Sequence, residues 1–403
     1  MTNVAYLVSD SFAPINFPKR LLLTPGPSEV DPRVYRAMMH PVFGILDPSF
    51  FEILSQIQQM LRLTFRTQNP LTLAISGSGS AGMEASLINF MEPGDEAAVV
   101  VGGVFAARMC DVIERCGGKL TRIDNRWGAA ADPDQVRQAV RGKKLKLLAV
   151  VHSETSTGVC QPLQPMREVA NEANALLMVD TVSSLAGLPL EVDQWGVDIC
   201  YSGSQKCLAC PPGLAPLTAG ERAMDVLRQR RTPVQSWYLD LSMIGKYWGA
   251  DRRYHHTPPV SMLFGFHEAL RLLHKEGLEA SWARHQRSHL ALVRGVEAMG
   301  LKMFVEDPSV RAWTVNTIRV PEGIDDSRVR ARLLERFNIE IGGGLGELRG
   351  RIWRVGLMGL TANDSCVLLF LSALESVLAE CGFAFDPGAG VGAAERALGP
   401  NLC

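Results

Sequence analysis

Lys206 is the residue whose surroundings most clearly suggest chemistry. It follows a Ser-Gly-Ser-Gln turn in "YSGSQKCLACPPG" (201–213) and precedes an apolar run that is rich in Pro. A lysine in a site of low polarity has a depressed pKa, so its amine becomes a nucleophile that can form a Schiff base. A lysine on an exposed loop is the ordinary alternative, and the rest of the chain must decide between the two.

Asp180 is the second candidate, because it ends the apolar run "ALLMVD" (175–180). A carboxylate at the end of a buried strand is costly unless it has a partner. The N-terminus of a following helix would be an ordinary partner. A protonated heterocyclic nitrogen would be a functional one.

The third candidate is the Gly-Ser turn in "ISGSGSAGMEA" (75–85), which leads from a strand into a helix. Its backbone N–H groups and the hydroxyls of Ser78 and Ser80 could bind a phosphate at the helix N-terminus. Gly-Ser turns are also common in ordinary loops. The turn matches neither the Walker A motif nor a dinucleotide-binding GxGxxG motif with its downstream acidic residue.

Together these three features are more specific than any one of them. Pyridoxal phosphate requires an anion site, an acidic partner for its pyridinium nitrogen and a lysine for its aldehyde. The phosphate turn, Asp180 and Lys206 would supply these parts in chain order. The sequence therefore predicts pyridoxal 5'-phosphate as the cofactor.

The elements that must position these residues alternate between strand and helix from about residue 50 to 220. Helices are predicted at 81–91 and 166–174, between short apolar runs. The predicted strands are 71–76, 96–101, 146–152, 175–180 and 197–204. This alternation indicates an α/β fold with a mostly parallel sheet covered by helices, which binds ligands at the carboxyl ends of its strands.

Composition excludes several other classes of protein. The chain has 403 residues and a formal net charge of −1, so it lacks the basic excess typical of a nucleic-acid partner. No apolar run approaches the roughly 20 residues that cross a membrane, and the N-terminus does not resemble a secretory signal. Nine scattered cysteines without a second CxxC pair favour free thiols, no metal site and a cytoplasmic location.

Motifs along residues 20–380 resemble those of the class V aminotransferases, in particular the alanine–glyoxylate and serine–pyruvate aminotransferase group. They are "LLLTPGPSEVDPRV", "NPLTLAISGSG", "EPGD", "HSETSTGV", "VDTVSSLAG", "YSGSQKCLACPPG", "YHHTPPVS" and "WRVGLMG". The resemblance implies the fold-type I architecture of pyridoxal-phosphate enzymes. It also implies a homodimer whose active sites lie at the subunit interface.

Four segments are expected on this basis. Residues 1–24 would join the small domain and the dimer interface, and 25–279 would form the large cofactor-binding domain. Residues 280–385 would form a smaller α+β domain. The Gly- and Ala-rich residues 386–403 are expected to be a loose tail.

The resemblance also assigns residues to the cofactor. Lys206 would form the Schiff base, and Asp180 would pair with the pyridine nitrogen. Phe105 stands where the animal enzymes carry a ring-stacking Trp, and an aromatic face is retained. The other implied cofactor contacts within one subunit are Ser78, Gly79, Ser80, Thr155, Val182 and Gln205.

Two further groups of residues follow from the resemblance. Tyr254 and Thr257 would reach the cofactor phosphate of the neighbouring subunit. The substrate would contact Gly26, Thr155 and Arg354, whose guanidinium would bind its carboxylate with two parallel hydrogen bonds. His255 and His256, in the same motif as Tyr254, are expected to be a satisfied interface pair and not metal ligands.

The expected reaction is transamination between a small amino acid, alanine or serine, and a 2-oxo acid, glyoxylate or pyruvate. One carboxylate-binding arginine and no obvious second basic residue favour small substrates. An (S)-ureidoglycine–glyoxylate aminotransferase is a close alternative. That branch is expected to carry a Gln where Ile45 stands and an Asn where Tyr254 stands.

A cysteine desulfurase-like lyase of the same fold is a more distant alternative. Such an enzyme would carry a His where Phe105 stands and a mobile catalytic Cys in a C-terminal loop. Cys366 instead lies in "NDSCVLLFLSALESVL", a pattern typical of an apolar helix.

Overall fold

The computed structural model of the protein describes residues 15–399. Its strands are β1 (Leu21–Leu23), β2 (Leu71–Ser76), β3 (Glu96–Val101), β4 (Lys119–Asp124), β5 (Leu145–Val151), β6 (Ser153–Glu154), β7 (Val159–Cys160), β8 (Leu176–Asp180), β9 (Ile199–Tyr201), β10 (Leu214–Ala219), β11 (Val315–Arg319), β12 (Ile339–Gly343) and β13 (Ile352–Gly356). Its helices are α1 (Pro32–Met38), α2 (Pro48–Phe65), α3 (Gly79–Ile88), α4 (Val104–Arg115), α5 (Pro133–Val140), α6 (Gln164–Glu172), α7 (Glu221–Arg228), α8 (Leu241–Trp248), α9 (Val260–Glu276), α10 (Leu278–Ala298), α11 (Asp326–Phe337), α12 (Asp364–Glu380) and α13 (Ala389–Leu398).

A seven-stranded sheet forms the centre of the larger part of the molecule, in the order β2-β10-β9-β8-β5-β3-β4. β10 is antiparallel to both of its neighbours, and the other pairs are parallel. Its central strands are apolar and buried on both faces, which only covering helices on each side allow. The predicted mostly parallel α/β fold is confirmed.

Two strands of this sheet were not predicted from the sequence. β4 lies at the edge, where its residues are partly exposed, so "KLTRID" lacks the apolar run of a central strand. β10 follows the Pro- and Gly-rich segment after Lys206 and contains a proline of its own, which favours a loop from sequence. All five strands that were predicted are present, with shifted ends in three of them.

The sheet register brings the predicted catalytic residues together. Asp180 is paired with Val151 on one side and with Tyr201 on the other. All three residues end their strands, and the three strands run in parallel. Lys206 follows β9 by only five residues, so it must lie at the same edge of the sheet as Asp180.

A four-stranded sheet in the order β1-β12-β13-β11 forms the centre of a second unit. β1 pairs in parallel with β12, so the chain contributes its beginning to this sheet before entering the larger one. The two sheets have separate apolar cores, the second built mainly from residues 291–394. Residues 1–14, the first part of the predicted N-terminal segment, lie outside the described residues.

The predicted loose tail is wrong for most of its length, because residues 389–398 form α13 and pack on α10. Gly295 of α10 permits a close approach, since a Cβ there would lie 2.8 Å from the carbonyl oxygen of Gly390. The Glu375 carboxylate accepts the N–H groups of Gly388 and Gly390 at the start of the helix. Small residues thus serve close helix packing here, and 400–403 lie outside the described residues.

Candidate active site

A cavity opens at the carboxyl ends of β5, β8 and β9 and at the N-terminus of α3. Nine of the predicted site residues line it: Ser78, Gly79, Ser80, Phe105, Thr155, Asp180, Val182, Gln205 and Lys206. Met83, Arg108, Val151, Ser153 and Tyr201 complete the lining. The cavity therefore lies where a mostly parallel sheet is expected to bind its ligand.

Lys206 is buried, with 8% of its surface exposed. Burial lowers the pKa of its amine to about 8. Its Nζ donates a hydrogen bond to the Pro25 carbonyl, which leaves two further N–H positions for other partners. The amine is therefore held in the apolar environment that the sequence predicts.

The segment after β1 covers the Lys206 turn closely. A Cβ at Gly26 would lie 2.5 Å from Lys206 Nζ, and the φ of +91° at this position also favours glycine. The Ser28 hydroxyl donates to the Lys206 carbonyl at 2.6 Å, and the Ser28 N–H donates to the Gln205 carbonyl at 2.9 Å. The structure thus places Gly26 beside the amine, although it does not line the cavity itself.

Both carboxylate oxygens of Asp180 are held by donors. The Val182 N–H donates to Oδ1 at 2.7 Å, and the Tyr201 hydroxyl donates to Oδ2 at 2.6 Å. Burial raises the pKa of Asp180 to about 6, although the bonds from Tyr201 and Val182 lower it. Each oxygen keeps further lone pairs, so the carboxylate can accept from a cationic N–H in the cavity.

The predicted phosphate turn begins α3. Ser78 is the N-cap residue and makes no side-chain capping bond. Among residues 15–399, the N–H groups of Gly79 and Ser80 have no hydrogen-bond acceptor. A Cβ at Gly79 would lie 2.9 Å from a methyl group of Val182. Only a glycine at position 79 therefore lets the turn approach Val182 this closely. Free N–H groups at a helix N-terminus favour an anion.

These residues fit pyridoxal phosphate, the cofactor implied for this chain. The buried Oε1 of Gln205, on the cavity wall, has no hydrogen-bond partner among the described residues. An acceptor that is buried without a partner is costly, and a donor on a bound ligand would remove that cost. The phosphate turn, the Asp180 carboxylate and the Lys206 amine match the anion, the pyridinium nitrogen and the aldehyde in chemistry.

Glu154 fixes the aromatic side of the cavity. Its buried carboxylate accepts the N–H groups of Phe105 at 3.3 Å and Ala106 at 3.2 Å, in the first turn of α4. Burial raises the pKa of Glu154, and the Ser156 hydroxyl and N–H, which also donate to it, lower it. Glu154 thus replaces the missing side-chain cap of α4 and holds Phe105 at the cavity.

Arg354 lies beside the cavity but outside its lining. Its Nε donates to the Gly343 carbonyl at 2.7 Å, and its Nη1 donates to the Thr155 carbonyl at 3.1 Å. Burial lowers the pKa of its guanidinium to about 10. Among residues 15–399, Nη2 and the second N–H of Nη1 have no acceptor, so these two nitrogens can together bind an outside carboxylate.

Tyr254 and Thr257, like Gly26 and Arg354, are predicted site residues that do not line the cavity. Tyr254 is 51% exposed, and its hydroxyl lies 3.3 Å from the Thr257 hydroxyl. Neither lines the cavity of its own subunit. Both side chains are therefore open to contact by a neighbouring molecule.

Three residues near the cavity were missed. Tyr201 stands in the same motif as Lys206, but its place beside Asp180 follows only from the pairing of β8 with β9. Arg108 follows Phe105 by three residues on α4, and its guanidinium carbon lies 4.7 Å from the Phe105 ring centroid. The cavity therefore has a second basic residue, contrary to the sequence-based expectation. No feature of the sequence marked Glu154 as a residue of the site.

Other kinds of site find no support in the part of the chain that the structure describes. Within residues 15–399, no three His, Cys, Asp or Glu side chains are grouped so that they could hold a metal ion. None of the helices in the same range has both the length and the apolar character needed to cross a bilayer.

Comparison with known proteins agrees with this geometry. The family model described as aminotransferase class-V matches residues 34–347. The alanine–glyoxylate aminotransferase of Callithrix jacchus is 41% identical over 371 residues, which cover 91% of this chain and 90% of that protein. The chain is thus similar to this relative over nearly the whole length of both.

Two solved structures are similar over almost the whole fold. The ureidoglycine–glyoxylate aminotransferase of Bacillus subtilis has a TM-score of 0.93 and 39% identity, covering 95% of this chain and 99% of that one. The alanine–glyoxylate aminotransferase of Nostoc sp. has a TM-score of 0.89 and 45% identity, covering 91% and 97%. The two differ in the amino donor that their names state.

Proposed function

The chain belongs to the class V aminotransferases, and on that premise we propose that it transfers the amino group of alanine or serine to glyoxylate or pyruvate. It is a pyridoxal-phosphate-dependent transaminase by family. The observation that carries the proposal is the cavity in which Lys206, Asp180 and a free phosphate-binding turn meet.

Lys206 is proposed to hold the cofactor covalently and to move the proton. When bound, pyridoxal phosphate supplies an aldehyde that accepts an amino group and a ring that withdraws electrons. With a pKa of about 8, Lys206 has a substantial neutral fraction near neutral pH. Once freed by the amino donor, its Nζ would take the proton from the substrate Cα and later return it.

Asp180 and the α3 turn are proposed to orient the cofactor. The Asp180 carboxylate, fixed by Tyr201 and Val182, would hold the proton on the ring nitrogen. The N–H groups of Gly79 and Ser80 would bind the phosphate at the opposite end. Two fixed ends leave the ring one orientation in the cavity.

Arg354 is proposed to bind the substrate carboxylate. A guanidinium can make two parallel bonds to a carboxylate, which orients the substrate as well as holding it. Its Nε and Nη1 are already fixed by backbone carbonyls, so its position does not depend on substrate. Arg354 would thereby direct the Cα proton of the substrate toward Lys206.

A homodimer with shared active sites is the proposed assembly. Large apolar side chains are exposed around α1 and near Tyr254. They are Tyr35, Met39, Val42, Phe43, Leu46, Trp237 and Tyr238. A second copy would cover this surface, and Tyr254 and Thr257 could then contact the partner's cofactor phosphate.

Ureidoglycine is the alternative amino donor. The TM-score of 0.93 to the Bacillus subtilis enzyme favours it. Against it, a ureido group needs amide partners, and Ile45 and Tyr254 stand where that branch is expected to carry amides. A desulfurase-like activity is less well supported, since Cys366 lies in the first turn of α12 rather than in a loop.

A half-reaction panel tests the proposal. The cofactor-loaded protein is mixed in turn with alanine, serine, ureidoglycine and 3-hydroxykynurenine, and loss of the aldehyde absorption band is followed. Alanine or serine is expected to react fastest. A faster reaction with ureidoglycine would support the alternative, and no reaction with any donor would contradict both.

Borohydride tests the covalent link separately. Reduction of the loaded protein should bleach its absorption band and leave the cofactor attached to the peptide that contains Lys206, as mass spectrometry would show. Attachment at another lysine would overturn the role proposed for Lys206.

A further inference from the structure

The motif that contains Tyr254 has an inner and an outer half. Tyr254 and Thr257 are exposed, whereas His255 is buried with 5% of its surface exposed and His256 is half-buried. The two histidines therefore form the inner half of the turn whose outer half carries the proposed phosphate contacts.

Hydrogen bonds determine which ring nitrogen of each histidine carries the proton. His255 Nε2 lies 3.1 Å from the Trp237 carbonyl, which can only accept, so Nε2 carries the proton. In a neutral ring His255 Nδ1 is then the acceptor, and His256 Nδ1, 2.7 Å away, must be the donor. His256 Nε2 is left as an acceptor for the Ser76 hydroxyl at 3.1 Å.

Aromatic contacts restrict both rings further. The Trp237 ring lies over His255 at a centroid distance of 4.3 Å, and the Tyr238 ring lies over His256 at 4.5 Å. Burial and the neighbouring His255 lower the pKa of His256, in agreement with the neutral ring that the hydrogen bonds require. The pair is thus held by contacts on its faces and at all four ring nitrogens.

Ser76 connects this pair to the phosphate turn. It is the last residue of β2 and precedes Ser78, the N-cap of α3, by two positions. The backbone of Ser76 is fixed by its pairing with Leu214 of β10. The turn that carries Tyr254 is therefore joined by side-chain hydrogen bonds to the phosphate turn of its own subunit.

We propose that His255 and His256 are positioning residues that hold the Tyr254–Thr257 turn in place for binding of the cofactor phosphate. The inference rests on the proposed function, because Tyr254 and Thr257 matter only if they contact a phosphate. In this proposal the Ser76–His256 hydrogen bond joins two turns of the same subunit. One is the phosphate turn of its own site, and the other is the Tyr254–Thr257 turn that contacts the phosphate in the partner's site.

A double-mutant cycle on Ser76 and His256 tests this proposal. Ser76→Ala removes the donor, and His256→Asn removes the acceptor while keeping a side-chain donor for His255. Each variant should bind pyridoxal phosphate about fivefold more weakly, since one hydrogen bond contributes about that much. Because both remove one bond, the double variant should be no weaker than the single variants.

Pyridoxal, which has no phosphate, separates positioning from general damage. Its affinity should be the same for the wild type and all three variants. The matched control is Thr64→Ala with His274→Asn, which removes a Thr–His contact of 3.0 Å between α2 and α9, away from the cavity. The control pair should bind both compounds like the wild type.

The results decide between two failures. If the wild type does not bind pyridoxal phosphate, the proposed function fails. If the wild type binds it and the Ser76 and His256 variants bind equally well, or if their effects add, or if pyridoxal is weakened to the same extent, the positioning role is overturned.

Discussion

The two halves of the candidate site are built in different ways. The wall at the sheet edge, formed by Asp180, Tyr201 and Lys206, is buried and fixed by strand register and internal hydrogen bonds. In the turn that carries Tyr254 and Thr257, these two side chains are exposed and do not line the cavity of their own chain. One half lines the cavity of its own chain, and the other is the half that we propose for the cavity of a second copy.

This difference separates two physical tasks. Changing the proton affinity of Asp180 or Lys206 requires removal of water, which a single chain achieves by burying both residues in its own sheet. Binding a phosphate requires donors of good geometry but no deep burial, so exposed side chains of a neighbour suffice. Substitutions in the wall should therefore have larger effects than substitutions in the turn.

The largest effect is expected for Lys206→Ala. Loss of the group that moves the proton should lower the rate of transamination about 10³-fold or more. Rates would be measured with alanine and glyoxylate. The matched control is Lys275→Ala, which should react like the wild type because Lys275 is exposed on α9. A Lys206→Ala enzyme within tenfold of the wild type would show that the wall does not carry the chemistry.

The second prediction concerns the cost of burying Asp180. Burial raises the pKa of Asp180 from 3.8 to about 6 in the fold without cofactor. The folded state then holds a proton between pH 4 and 6 that the unfolded state has lost, so stability falls as pH rises through this window and is constant above it. The cost above pH 6 amounts to about 3 kcal/mol.

Asp180→Asn should remove this cost. The cofactor-free variant should be more stable than the wild type above pH 6, and the difference should disappear below pH 4. Chemical denaturation of both proteins at several pH values would measure it. A difference that is the same at pH 4 and pH 7 would contradict the burial argument.

Two of the three wall residues could be placed from the residues themselves, whereas Tyr254 and Thr257 followed only from the family resemblance and Tyr201 was missed. Asp180 and Lys206 follow apolar strands, and parallel strands bring their carboxyl ends to one edge whatever the details of packing. The seven-stranded order could not be derived in full, because edge strand β4 is polar and β10 contains proline. The α13 helix was missed because its small residues signal packing only when α10 is known.

Side-chain partners were harder to predict than positions. That Tyr201 donates to Asp180 depends on the pairing of β8 with β9, and that Glu154 caps α4 depends on the hairpin of β6 and β7. Likewise, the link from Ser76 to His256 joins residues 180 positions apart. Contacts of this kind have no local pattern, so only the folded chain reveals them.

The third prediction tests whether the turn serves the partner. Tyr254→Phe should bind the cofactor about tenfold more weakly, because it loses one hydrogen bond to a charged phosphate. When Tyr254→Phe subunits are unfolded and refolded with Lys206→Ala subunits, hybrid dimers gain one site with both native residues. At a cofactor concentration low enough to leave Tyr254→Phe mostly unloaded, activity should rise several-fold above that of the unmixed proteins. An unchanged activity in proven hybrids would place Tyr254 at its own cavity.

The smallest effect is expected at Phe105, a residue of α4 that lines the cavity but belongs to neither the wall nor the turn. Phe105→Leu keeps an apolar side chain on α4 but loses the aromatic face, and stacking contributes about 1 kcal/mol, so pyridoxal phosphate should bind about fivefold more weakly. Phe105→Trp should bind at least as well as the wild type, since it restores a larger aromatic face. Both affinities would be measured by absorbance titration of the cofactor-free protein. If Leu and Trp weakened binding equally, Phe105 would act by its fit against the Arg108 side chain and not by stacking on the cofactor.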